Sequence, residues 1–291
     1  MPRLHSIRLV AAFDLRESLS SRKAIVLLAL YTLGSLGASL LFVRALEGIR
    51  ERLEEDIGQK VALADVMASP GMARIAGVLA GDAEVAEAIV AIPPMALFYG
   101  WLAMTFIPLL VLFTSSDAVA GDVSSGAVRF SLFRTDRISW AVGKLIGQTC
   151  LMAVGVLAGA LACWGVGFLG LDGMAPADTA LWLLRISGRT VVYGFAYLGM
   201  VVCASQLAMT PIRAGGLALG LMFVCSVVGS ILQAARAPAV FEALSKLFPN
   251  GHYLELWHPR LLPSVGAMVG LVAIGLAFSG LGFLRFSRRD A

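Results

Sequence analysis

Runs of about twenty apolar residues recur along this chain, near 24–43, 94–114, 142–170, 187–209, 214–233 and 263–284, and they restrict its fold more than any other feature. About 20 residues at 1.5 Å each cross the roughly 30 Å of hydrocarbon in a bilayer. Backbone N–H and C=O groups must be paired inside lipid, and no run shows the strict alternation of a strand, so each is expected to be a helix. Composition agrees: 58% of the residues are hydrophobic and only 14% charged, and the mean hydropathy is +0.84. The expected fold is an all-α membrane protein, residues 1–291 forming a single transmembrane domain. The net charge of +4 and pI near 9.0 come from basic residues beside the apolar runs, as orientation signals do, and imply no nucleic-acid binding. Residues 1–23 are polar and no small-residue cleavage site follows the first run, which therefore reads as a retained span rather than a signal peptide.

Lysine and arginine set the orientation. With the N-terminus inside, the inner segments hold Arg3, Arg8, Arg16, Arg22, Lys23, Arg129, Arg134, Arg137, Lys144, Arg213, Arg285, Arg288 and Arg289, more than half of the 23 basic residues. Both termini and the 115–141 loop are thus expected on the cytoplasmic side, and "SRRD" after the last span agrees. Residues 44–93 then form an external helical segment. Ile49, Leu53, Ile57 and Val61 mark one amphipathic helix, and "MARIAGVLAGDAEVAEAIVAI" marks a second after the break at Pro70-Gly71. The pair could cover an outer channel mouth or simply neighbouring helix ends.

The loop between spans two and three is unusually polar for its surroundings. In "DVSSGAVRFSLF" an acid and serines stand at cap positions, and Val128, Leu132 and Phe130 or Phe133 recur at helical spacing with Arg129 and Arg134 between them. A short amphipathic helix on the inner surface is predicted. Anchorage in the membrane surface would account for it without a partner.

The order Asp117, Asp122, Gly126, an amphipathic run, Arg137 and Gly143-Lys144 entering the next span resembles the cytoplasmic coupling region of ABC-2 type permeases, the membrane subunits of one class of ABC transporters. "FDLRESLSSRKAIVL" is similar to that family's N-terminal interfacial helix, with Asp14-Leu15 where Glu-Leu is common, and "FLRFSRRD" is a typical ending. The chain departs from the family in Ala127, where Thr is usual after the glycine, and in "FRTDR", which has Thr135 and Asp136 and no Pro; both bear on contact details and the identity of the partner. The resemblance implies a coupling helix seated in a cleft of a separate ATPase, with Phe130 and Phe133 as anchors and Arg129 and Arg134 as charge partners. It further implies two ATPase copies, a second permease copy or paralogue, a bacterial cytoplasmic (inner) membrane location, and export. Relatives include exporters of drugs and peptides, carriers of lipid-linked glycans and permeases that help mature a periplasmic copper enzyme.

A P-loop requires GxxxxGK[ST], and the chain's Gly143-Lys144 is followed by Leu145. ATP and Mg²⁺ are therefore expected on the partner ATPase, with no cofactor on this chain and no catalysis by it. Two other functional classes make different demands on the sequence. A membrane-embedded enzyme could use His252, Glu255 and His258 as an external metal site, but the spacing is not His-Glu-x-x-His, and Pro249, Gly251 and Pro259 point to a loop. An ion-coupled secondary transporter would lead one to expect mid-membrane charges and an inverted repeat. Arg185 and Arg189, at the expected outer start of span four, either reach for headgroups or attract an anionic substrate group. A path lined by Trp101, Met104, Phe106, Trp164, Phe168, Tyr193 and Tyr197 is the other candidate substrate feature. Cys150, Cys163, Cys203 and Cys225 lie in the spans and read as small apolar residues.

Overall fold

The computed structural model describes residues 2–58, 85, 89–234, 239–258 and 260–288. Six of its helices are long and apolar enough to cross a membrane, and no strand occurs among the described residues. Helix α1 (Pro2–Ser20) is followed by Ser21, whose hydroxyl accepts the Ala24 N–H and caps α2 (Arg22–Ile57). α3 (Pro94–Ser115) leads into two short helices, α4 (Ala120–Ser125) and α5 (Ala127–Leu132). α6 (Arg137–Gly170), α7 (Pro176–Leu207) and α8 (Pro211–Ala234) follow. After α9 (Ala239–Ser245) and the 3-10 turns Pro249–His252 and Glu255–Trp257, α10 (Leu261–Ser287) completes the bundle.

Several bounds differ from the hydropathy reading. α2 does not stop near 43: its 36 residues run on to Ile57, so the stretch containing Ile49 and Leu53 continues the span and is no separate helix. Charges that end an apolar run need not end a helix, and Arg50 and Glu54 pair across one turn at 3.6 Å. Val61, Pro70-Gly71 and most of the second amphipathic stretch lie outside the described residues, as do Arg289 and Asp290. α6 starts at Arg137, where Asp136 accepts both the backbone N–H and the hydroxyl of Ser139 at 2.8 Å. Those two bonds hold the Asp136 carboxyl below the usual carboxylate range. α7 starts at Pro176, well before residue 187, which moves Arg185 and Arg189 from the helix start into its interior.

α7 is the axis of the bundle and packs against α3, α6, α8 and α10. In its apolar window 78% of residues are buried, against 11% in α2, which lies at the edge. Glycines let the neighbours close in. A Cβ on Gly199 would lie 2.1 Å from the Gly275 carbonyl oxygen of α10, and one on Gly194 would lie 2.7 Å from Ile107 of α3. The Gly155 and Gly159 pair of α6 is likewise filled from within the chain, by Leu28 and Leu110 and by Tyr31, Ser35 and Tyr99. Arg137 donates to the Ser287 carbonyl at 2.5 Å, so α10 ends beside the start of α6. α1, α4 and α5 gather at this same terminal end of the bundle.

Candidate functional site

The terminal end is organised around one lysine. Gly143 and Gly147 of α6 have no side chain to keep α1 away: a Cβ at Gly143 would meet Val10 at 2.6 Å, and one at Gly147 the Asp14 carboxylate at 2.6 Å. Asp14 is therefore delivered to the first turns of α6, where the Lys144 ammonium lies 2.7 Å from Asp14 Oδ1 and 2.9 Å from Asp122 Oδ2 of α4. Lys144 is 8% exposed and Asp14 3%. Gln148, one turn along, donates to Asp14 Oδ2 at 2.7 Å and accepts from Ser115 Oγ, at the end of α3, at 2.9 Å. Burial raises the Asp14 carboxyl above its ordinary value, and the charge and hydrogen bond of Lys144 oppose that rise. A second, solvent-facing pair joins Lys23 of α2 to Asp117 at 2.8 Å.

Above this network the loop is fixed at two further points. Ser205 Oγ, near the end of α7, accepts the N–H groups of Val119 and Ala120 at 3.1 and 3.0 Å, satisfying donors at the start of α4. Val128 of α5 is buried in a cluster with Val119, Trp140 and Phe286. Between α4 and α5, Gly126 adopts φ 76°, a left-handed conformation that costs glycine little. The single amphipathic helix expected over "DVSSGAVRFSLF" is thus two short helices joined at Gly126. With Val128 turned inward, Arg129, Phe130, Phe133 and Arg134 face outward, and Phe130 and Phe133 are 76% and 86% exposed.

An open cavity of about 470 Å³ lies between α3, α7, α8 and the 249–253 turn, with the half-exposed Trp101 at its edge. Trp101, Met104, Tyr193 and Tyr197 line it together with Pro108, Asn250 and Tyr253. Pro108 cannot donate to the Met104 carbonyl one turn back. The Tyr193 and Tyr197 hydroxyls lie 3.0 Å apart, and Tyr197 donates to Asn250 Oδ1 at 2.8 Å. Among the described residues, no charged side chain lines this cavity.

Residues 8–291 match the profile of ABC-2 family transporter proteins. The chain belongs to that family. A probable ABC transporter permease protein, NosY of Pseudomonas aeruginosa, is 28% identical over 127 residues, which are 42% of this chain and 45% of that protein, so the match spans under half the length of this curated relative.

In this ABC-2 protein the expected coupling residues divide into two sets. Asp122 and Lys144 form the buried network, Asp117 pairs with Lys23, Gly126 makes the joint and Arg137 reaches Ser287, while Arg129, Phe130, Phe133 and Arg134 form the outward face. Trp101 and Tyr193 meet at the cavity, but Arg185 and Arg189 do not line it, and Arg185 instead stacks over Trp182 at 5.4 Å. Phe106 opens onto an apolar groove between α2 and α3, and Trp164 stacks on Phe168 apart from the cavity. Asn250, which ties the cavity's tyrosines to α8, was not singled out from the sequence; its only signal was a position between Pro249 and Gly251. The His252, Glu255 and His258 trio is not brought together. His252 faces Glu255 at 3.4 Å and the Lys246 carbonyl at 2.9 Å, whereas His258 accepts the Arg260 N–H.

Proposed function

We propose that this chain is the membrane subunit of an ATP-driven exporter, working with a second permease copy or paralogue and driven by two separate ATPase subunits that bind ATP and Mg²⁺. The observation carrying this reading is the outward face of α5. Two phenylalanines, each more than three-quarters exposed, sit between arginines on and just past a short helix whose Val128 is buried against Trp140 and Phe286. Aromatic and arginine side chains dominate interface energetics, and truncating one such anchor typically costs about 2 kcal/mol or more. In this reading Arg129, Phe130, Phe133 and Arg134 enter a cleft of the ATPase, and Asp117, Asp122, Gly126, Arg137 and Lys144 join that docked face to the spans behind it. The terminal end then faces the cytoplasm, both termini with it, and the membrane is the bacterial inner membrane. Substrate would pass along α3, α7 and α8, with the uncharged cavity bearing Trp101 and Tyr193 on its route and Arg185 and Arg189 acting at most at its approach.

The test is the double variant Phe130→Ala, Phe133→Ala, purified from native membranes. The expected result is loss of the co-purifying ATPase at unchanged membrane levels of the permease. Retention of the ATPase at wild-type stoichiometry would make α5 an anchoring helix only.

A further inference from the structure

Four elements meet at the Lys144 network. Asp14 comes from α1, Asp122 from α4, Lys144 and Gln148 from α6, and Ser115, through Gln148, from the end of α3. The pair Lys23–Asp117 adds α2 on the outside of the same cluster. On α6, Trp140 and Lys144 are one turn apart, with the ammonium 5.8 Å from the Trp140 ring centre. Trp140 takes the buried face of α5 and Lys144 takes α4. The two halves of the loop, separated at Gly126, are thus gripped by neighbouring positions of a single helix.

The two salt bridges are unequal. Asp14 is nearly sealed, its carboxylate also bonded by Gln148, whereas the Asp122 side chain is 24% exposed and no hydrogen bond besides that of Lys144 is described for its carboxylate. Bonds that are sealed and multiply satisfied hold elements together permanently. A bond with one solvent-facing partner is the weak member of the network and the place where the loop can be released without unfolding α1 from α6.

We infer that Lys144, held between Asp14 and Asp122, locks α1, α4 and the first turns of α6 into one mechanical body, with Asp122 the residue that engages the loop. This rests on the docking role proposed for α5. A displacement of α5 by its partner is then passed into α1 and α6 rather than absorbed by the loop. Asp122 is accordingly a positioning residue: it touches neither nucleotide nor substrate, and its removal would leave docking intact while disconnecting it from the spans.

The experiment places spin labels at Ser20→Cys and Ser125→Cys in the full chain, its native cysteines replaced by alanine, in lipid nanodiscs. The distance between them is measured by pulsed electron paramagnetic resonance with and without the co-purified ATPase, ATP and vanadate. With Asp122 present, a single narrow distance is expected that nucleotide does not change. Asp122→Asn and Asp122→Ser should both lose the single peak, and nucleotide should then shift the distribution, while Asp122→Glu restores the narrow peak. Both variants should keep the ATPase bound and elute as folded protein. A peak in Asp122→Asn and Asp122→Ser as narrow as wild type would overturn the lock. Failure of any ATPase to co-purify with the wild-type chain would instead overturn the docking role and leave the distance result standing.

Discussion

Lys144 illustrates how one side chain can be read in the sequence and yet not understood from it. Gly143-Lys144 stands out at the entry to a span, but the partners that define the lysine's role come from positions 14 and 122, and nothing local to residue 144 announces them. The glycines are explained by the same contact, because α1 approaches too closely for a Cβ. Removing one member of a buried ion pair leaves the other charge uncompensated and typically costs about 3–5 kcal/mol. Lys144→Met should therefore be strongly destabilising, and Asp14 should become a carboxylic acid held neutral by burial. The direction with pH follows from linkage. The Asp14 carboxyl is already raised above its ordinary 3.8, so the folded state binds its proton more tightly than the unfolded state does. Its contribution is greatest below 3.8 and is lost as pH rises through the folded value, and without Lys144 that folded value climbs further. Thermal melts of Lys144→Met should show stability falling more steeply than in wild type as pH rises above 3.8. Equal slopes would mean that Asp14 is solvated in the variant.

Among the elements, the spans were legible because hydrophobicity over about 20 residues is a strong signal, and their ends were less so because helical hydrogen bonding continues past the last apolar residue. The start of α7 did carry local signs, Pro176 at its first turn and Asp178 just behind, although hydropathy places the apolar run from about 187. The α4–α5 joint shows the opposite limit: helical spacing runs across Gly126, but a glycine with positive φ divides the helix. Gly126→Val must place a branched side chain in the left-handed region, at a cost of about 1–2 kcal/mol. That variant should leave α4 bonded to Ser205 and tilt α5, so the expected outcome is a modest drop in melting temperature with a disproportionate loss of ATPase co-purification. Equal losses in Gly126→Ala and Gly126→Val would point to backbone conformation as the sole cause, since both demand the same positive φ.

For the whole molecule, six candidate spans among the described residues, the Lys144–Asp14 pair and the Arg137–Ser287 contact place α1 and the end of α10 at the same end of the bundle. The proposed orientation predicts that Ser125→Cys is protected from a membrane-impermeant maleimide in sealed cells and that Glu51→Cys, on the extension of α2 beyond the apolar run, is labelled. The reverse pattern would invert the molecule. The purified chain, shown by mass spectrometry to be free of other proteins, should hydrolyse no ATP. The tight seat of α10 on α7 bears also on the making of the protein. Gly199 offers bare backbone to Gly275, and α10 follows α7 only after α8 and the 239–258 segment have been synthesised. At about 5–20 residues per second that interval is on the order of several seconds. Throughout it, the central helix sits in the bilayer with its intended groove filled by lipid tails or by the insertion machinery, so biogenesis of this bundle includes a waiting step in which a half-built core has to be kept from foreign helices.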